Sequence, residues 1–446
     1  MKLVYGVKDR PKFGQMLVFA FQQLLAILAA TIAVPAIIGN GMSASAALFG
    51  AGIGTLVYQL FTKFRSPVFL GSSFAFINSM FVAFGGAVSA AAGYVGLILG
   101  AVCAGLVYVI IALVVKFVGV NWLNKLMPAV VVGPTVAIIG LSLAGNAVGD
   151  LSKGKVLVEG VSAADPYICL VCGLVTLFTV IICSVFGKKM AKLIPFIIGI
   201  LAGYVVAAIF TAIGVATDNV ALQVIDFAAF KNMQIFALPD FTFLTAFGAL
   251  GEITVGYVIT VAVAYVPVAF VVFAEHIADH KNLSSIIESD LLEEPGLHRT
   301  LLGDGIGSMA GAVFGGCPNT TYGESVGCVA ITGNASVITI FTTAIMAIVI
   351  SFFGPFVTFL GSIPNCVMGG VCVTLYGFIA VSGLKMIQKV DLEDNRNLFV
   401  AAVILICGIG GLTLSFWKVT ITSIACALIL GIIVNAVVNI KKNKAE

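Results

Sequence analysis

The chain has 446 residues, of which 60% are hydrophobic and only 10% charged, with a mean hydropathy of +1.15. Soluble globular domains carry about 25% charged residues, so that class is excluded and a polytopic membrane protein is indicated. The net charge of +3 gives no pointer to nucleic acid as a partner.

Apolar runs of about 20 residues, the length that crosses a bilayer as a helix, recur from Met16 onward, and about fourteen candidates emerge, two of them short and broken. Residues 1–15 form a basic, proline-containing leader without a small-residue cleavage site, which predicts a retained first span rather than a signal peptide. The first span, 16–39, carries Gln22, Gln23 and the small stretch Ala29-Ala30-Thr31 ahead of Pro35. The second, 44–61, is parted by Lys63 and Arg65 from a third segment, 68–85, which Gly71-Ser72-Ser73-Phe74-Ala75 interrupts. That interruption reads either as a small-residue packing patch or as a true break. Spans four to seven follow at 94–117, from Met127-Pro128, at 168–187 and at 193–214, and a polar stretch predicted to be external runs on to Asp240.

The eighth span ends in Phe273-Ala-Glu-His-Ile-Ala-Asp-His280 and leads into the most charged loop, 281–299. Glu275 is a carboxylate inside this helix-like run, readable as a buried site residue or as a helix-end group at the cytoplasmic interface. For Asp279 and His280 both readings also stand, while Glu252 and Asp304 are expected at solvated helix ends. The ninth span holds Gly307-x-x-x-Gly311, a close-packing spacing. Pro318-Asn-Thr-Thr-Tyr-Gly-Glu-Ser-Val-Gly327 then sets Glu324 among helix breakers and β-favouring residues. Non-helical backbone at membrane depth must be buried in protein or line a cavity, so Glu275 and Glu324 together predict the substrate and proton site of a transporter. Further spans follow near 335–354, from Ile363-Pro364, and twice more up to Val437.

Basic residues test the topology, because Lys and Arg concentrate in cytoplasmic loops. With fourteen spans and both termini inside, only Lys153, Lys155, Lys231 and Lys418 of the 23 Lys and Arg fall outside. Cys169-Leu-Val-Cys172 has a redox-like spacing, but all ten cysteines lie in or beside apolar runs and no His joins them at ligand spacing. Compact packing is therefore the expectation, with no metal and no cofactor.

Two internal echoes stand out. Ser72-Ser73-Phe74-Ala75 matches Thr320-Thr321-Tyr322-Gly323 in type at an offset of 320 − 72 = 248, and Pro128-Ala-Val-Val-Val-Gly133 matches Pro364-Asn-Cys-Val-Met-Gly369 at 364 − 128 = 236. They pair the third span with the tenth and the fifth with the twelfth, a seven-plus-seven repeat. An odd number of spans per repeat forces opposite orientations, the inverted architecture of secondary transporters.

Half-helices starting near Phe74 and Gly323 would aim backbone N–H groups and positive dipole ends into one cavity. Glu275 and Glu324 add acceptors, and no Lys or Arg lies in a span core to attract an anion. A small neutral solute with adjacent N–H and C=O groups fits, with Phe74 or Tyr322 stacking on its ring. No nucleophile triad or nucleotide motif in the right context supports a membrane enzyme; a passive channel stands as a rival.

Leu28-Ala-Ala-Thr31, Leu70-Gly-Ser-Ser-Phe-Ala-Phe76, Ala274-Glu-His276, Glu294-Pro-Gly-Leu-His-Arg299, Pro318-Asn-Thr-Thr-Tyr-Gly-Glu324 and Tyr376-Gly377 resemble the motifs of the nucleobase/ascorbate transporter family, and within it those of bacterial uracil permeases. The resemblance implies an all-α polytopic fold with short strands in the broken third and tenth segments. It also implies a core domain at 16–127 and 241–360, a gate domain at 128–240 and 361–440, and a cytoplasmic leader (1–15) and tail (441–446). Proton-coupled uptake of uracil across the cytoplasmic membrane is the implied activity, with xanthine or another purine as the alternative and a homodimer as the implied assembly. Carried over by motif, Ala30, Phe74, Glu275, Gly323 and Glu324 contact the base, Tyr376 approaches from the gate side, and Glu275, Glu324 and Asp279 handle the proton. Three positions depart from the pattern: Glu324-Ser325 replaces a frequent Glu-Asn, Thr332-Gly333 a frequent Thr-Arg, and Asp279 a histidine found in some relatives. Ser325 and Gly333 are expected to tune substrate choice.

Overall fold

The computed structural model describes residues 3–119, 126–158, 161–188, 190–231, 233–416 and 419–440. Lys2, Lys125, Lys189, Lys418, Lys441, Lys442 and Lys444 of the basic-residue argument, and the whole 441–446 tail, lie outside the described residues.

Among the described residues, eight helices are long and apolar enough to cross a membrane: Phe13–Ile38, Ala44–Phe61, Ala90–Val118, Ala129–Asp150, Pro166–Phe186, Pro195–Ala216, Val255–Ile287 and Asn365–Ile387. Four shorter apolar ones, Phe74–Gly85, Val337–Ile350, Asn395–Ile409 and Ser423–Val438, accompany them. Their starts have local chemical causes. Ser43, Ser89, Thr254 and Thr422 each accept a hydrogen bond from a first-turn N–H, and Asp165 does the same just ahead of Pro166. Such caps satisfy donors that the helix leaves unpaired, and proline at the first position sacrifices no needed N–H.

The third and tenth segments are both broken. Leu70–Ser72 pairs antiparallel with Asn319–Thr321 in the register Leu70↔Thr321, Gly71↔Thr320, Ser72↔Asn319. Ser73 N–H donating to the Pro318 carbonyl at 2.9 Å and Tyr322 N–H donating to the Phe69 carbonyl at 3.2 Å continue the pairing at its two ends. The ladder gives this extended backbone the partners that lipid cannot offer. Immediately after it the chain turns helical, at Phe74–Phe76 running into Ile77–Gly85, and at Gly323–Thr332. Ser73 and Tyr322 hold equivalent N-cap positions, so the structural offset is 322 − 73 = 249, one residue more than the sequence echo suggests.

Around this ladder, Leu297–Gly315 packs against both Ala44–Phe61 and Ala90–Val118, while Phe13–Ile38 and Val337–Ile350 pack together and against Ala44–Phe61. A second set places Ala129–Ser142 against Asn365–Ile387, Pro166–Phe186 against Pro195–Ala216, and Asn395–Ile409 against Ser423–Val438. Glycine permits the closest of these contacts. A Cβ on Gly54 would fall 2.8 Å from the Gly307 carbonyl oxygen, and one on Gly307 only 2.7 Å from that of Gly54. All ten cysteines are free, seven of them buried.

Candidate functional site

A cavity of about 420 Å³ lies between the two sets of helices. One wall is built from Ser73, Phe74 and Ala75 of the third segment, Thr320 to Glu324 of the tenth, and Glu275, Ala278 and Asp279 of the Val255–Ile287 helix. The facing wall is apolar, with Val136 and Ile139 from Ala129–Ser142, Phe196, and Leu375, Phe378, Ile379 and Met386 from Asn365–Ile387, where Ser382 is the polar exception. Phe74, Glu275, Asp279, Gly323 and Glu324 are thus brought together. Ala30 and Tyr376 are not lining residues. Ala30 is buried inside Phe13–Ile38, and Tyr376 meets the cavity wall through Phe74, their rings edge to face with centroids 6.0 Å apart.

The broken segments explain how backbone and side chains reach one space. Both half-helices begin at the wall, and neither N-cap side chain bonds back to its first turn. Positive helix ends therefore point into the cavity. A Cβ on Gly323 would find nothing closer than Asp279 Oδ1 at 3.9 Å, so this glycine opens onto the cavity. Gly71 is different, because a Cβ there would fall into the Tyr322 ring. That ring is fixed across the ladder by its hydroxyl, which donates to the Ser72 carbonyl at 2.8 Å. Of the two aromatic residues expected to stack on a ligand, Tyr322 is thereby tied to the ladder, leaving half-buried Phe74 as the free face.

The Val255–Ile287 helix is two-faced. Glu275 and Asp279, one turn apart, face the cavity, and the Thr321 hydroxyl donates to Asp279 Oδ2 at 2.8 Å. His276 and His280, also one turn apart, stack on each other 4.0 Å apart and are fully buried. His280 Nδ1–H donates to the His276 carbonyl at 2.8 Å, and its Nε2 meets the Tyr58 hydroxyl at 2.7 Å. His280 is buried and Asp279 half-buried, and the helix runs on to Ile287, two turns further than the charge pattern suggests.

Asp304 corrects the expectation in the same way. It is 1% exposed rather than solvated, and its Oδ2 lies 2.7 Å from His276 Nδ1. The Thr300 hydroxyl lies 3.0 Å from the Leu297 carbonyl and 3.0 Å from His276 Nε2. At 2.7 Å the Nδ1···Oδ2 contact holds one proton between histidine and carboxyl.

Ser325 and Gly333, the positions expected to tune substrate choice, lie behind the cavity wall. Ser325 is wholly buried, and its Oγ accepts from the Phe69 N–H at 2.9 Å and from Gln23 Nε2. Gly333 closes its half-helix at φ +66°, and its carbonyl accepts from the Val4 N–H at 2.8 Å. Neither lines the cavity. Gln23, a buried amide in an otherwise apolar span, was the sequence signal that something polar lay opposite.

Residues 14–416 match the model of the Permease family. The uracil permease of Bacillus caldolyticus is 38% identical, over all of this chain and 97% of its own. That of Bacillus subtilis (strain 168) is 37% identical over 98% and 95%, and the putative pyrimidine permease RutG of Escherichia coli (strain K12) 30% identical over 98% and 92%. Among solved structures, the transmembrane domain of the cyanobacterial bicarbonate transporter BicA superposes with a TM-score of 0.65 at 16% identity, over 97% of this chain and 99% of that one. Murine Slc26a9, an anion transporter in the inward-facing state, gives 0.67 at 12% identity over 98% and 69%. These two show a shared fold. With the motifs, the paired breaks and the full-length relatives in agreement, the chain belongs to the permease family in which the bacterial uracil permeases are found.

Proposed function

We propose that this multi-pass membrane protein imports uracil together with protons. The observation that carries the reading is the cavity in which two opposed half-helix starts meet Glu275, Asp279 and Glu324 across from an apolar wall. Full-length relatives named uracil permease give the substrate. Phe74 offers the face on which the ring stacks, and Gly323 the place where the base approaches the backbone. Glu275 is the coupling group, with Glu324 and Asp279 beside it. A protonated carboxyl presents an O–H donor next to a C=O acceptor, matching the adjacent C=O and N–H of a uracil edge, whereas a carboxylate presents acceptors only.

We further propose fourteen spans in two inverted sets of seven, with both termini cytoplasmic. Supporting this count are the eight long and four shorter apolar helices, joined by Leu297–Gly315 and the broken segment through Gly323–Thr332. The core domain (16–127 and 241–360) supplies the polar wall and the gate domain (128–240 and 361–440) the apolar one, so the solute is held where the two can move relative to each other. Ala30 and Tyr376 support the site from behind, and a homodimer is the assembly in keeping with the resemblance.

The test is accumulation of labelled uracil by proteoliposomes under an imposed proton gradient. Concentration above the outside level, abolished by a protonophore and competed by unlabelled uracil, is expected. Equilibration alone would make the protein a channel, and stronger competition by xanthine would make it a purine carrier.

A further inference from the structure

Thr320 borders the substrate cavity and also a second, much smaller space of about 10 Å³, which it shares with Tyr108, Asp304, Ser308 and Asn319. Two deeply buried oxygens of these residues, Tyr108 Oη and Asp304 Oδ1, have no hydrogen-bond partner among the described residues. Tyr108 is 4% and Asp304 1% exposed. A buried polar atom without a partner is rare, because it has given up water and gained nothing. The two orphans belong to different helices, Ala90–Val118 and Leu297–Gly315, yet border the same space. Its volume is about that of one water-sized probe, and a buried water needs two to four polar partners.

We propose that this space is the binding site of a single structural water molecule. The water donates one hydrogen to Asp304 Oδ1, an acceptor whether the proton shared with His276 sits on the carboxyl or on the imidazole. It accepts from the Tyr108 O–H, and its second hydrogen is left for the hydroxyl of Ser308 or Thr320. With Thr320 as that acceptor, a hydrogen-bonded chain runs from Thr300 through His276, Asp304 and the water to the back of the segment that forms the substrate site. A metal cation fits less well, since it would need more oxygens than these. The inference is independent of which solute the main cavity carries.

Tyr108→Phe removes only the hydroxyl and keeps the ring against His276, so the sign of its effect decides the matter. If a water is bound, the variant takes away one of its partners and the melting temperature of the purified protein falls by about 2 °C. If the space is dry, the variant removes an unsatisfied hydroxyl, and an unchanged or raised melting temperature overturns the proposal. A density map fine enough to resolve other buried waters should show a peak at hydrogen-bond distance from both oxygens. No peak there overturns the proposal, and so does a peak at much shorter range accompanied by sodium-dependent uptake, which would assign a cation.

Discussion

Gly323→Val separates the scaffold from the site. Beyond its own turn, the nearest atom to a Cβ at this position is Asp279 Oδ1 at 3.9 Å, so the branch point itself is accepted without a shift and the two methyl groups are directed at open cavity. Valine also favours helix over glycine by a few tenths of a kcal/mol. Stability should therefore stay within about 0.5 kcal/mol of wild type, or about 1–2 °C in melting temperature. Binding should not survive as well, because the two added methyl groups occupy the space where the base meets the start of the half-helix. Losing two backbone hydrogen bonds at about 1 kcal/mol each and about 1 kcal/mol of ring contact with Phe74 gives about 3 kcal/mol, or about 150-fold in Kd. Gly71→Ala is the control. It adds a single methyl but drives it into the Tyr322 ring, so it should cost about 1–3 kcal/mol of stability. The assay is a thermal melt and a uracil titration on each purified protein. Wild-type affinity in Gly323→Val would show that the base does not lie against this backbone, and a melt as depressed as that of Gly71→Ala would show that the space is not open.

Glu275→Gln retains a donor beside an acceptor, so uracil binding should persist while concentrative uptake is lost. If wild-type binding takes up one proton at Glu275, Kd falls by up to about tenfold per unit as pH drops through the titration range, and the variant should be nearly flat from about pH 5 to 9; a wild-type pH profile in the variant would place the coupling proton elsewhere. Ser325→Ala strands the Phe69 N–H and Gln23, for about 1–3 kcal/mol of lost stability, with uracil/xanthine competition unchanged; altered competition would show that position 325 reaches the substrate. An epitope tag ahead of Leu3 should be hidden from antibody in intact cells and exposed after permeabilisation, whereas labelling of intact cells would reverse the proposed orientation.

The elements were legible where a single physical rule governs them. Twenty-residue apolar runs between Ser, Thr, Asp and Pro caps delimit Ala44–Phe61 and Pro166–Phe186 to within two residues. The second break was legible from Pro318, Gly323 and Gly327 around β-favouring residues, whereas Gly71-Ser72-Ser73 alone left a packing patch and a true break equally open. The relative alignment of the two came out one residue off, since similarity of type between Ser and Thr carries no information about hydrogen-bond register. Carboxylates in apolar segments announced the polar wall of the cavity, but Val136, Ile139, Phe196 and Phe378 opposite them look like any other apolar residues in apolar spans. Asp304 was misread because its partner His276 lies 28 residues away; the one-turn spacing of His276 and His280 was the available sign that a second buried face existed. The setting of Ser325 was not legible, because its partners Gln23 and Phe69 come from two distant segments.

The small ladder between the broken segments has a consequence for how the protein is made. Ser72 pairs with Asn319, so 319 − 72 = 247 residues must be synthesised before the first strand meets its partner. At roughly 5–20 residues per second that is an interval on the order of ten to fifty seconds. Throughout it, the N–H and C=O groups of Leu70–Ser72 cannot lie bare in hydrocarbon, where each unpaired group costs several kcal/mol. The third segment must wait at the insertion machinery, in water or at the membrane surface, and it reaches its final depth only when the tenth arrives. A ribosome stalled before Asn319 should therefore leave the region around Leu70 open to water-soluble reagents, although more than half the chain has already been inserted.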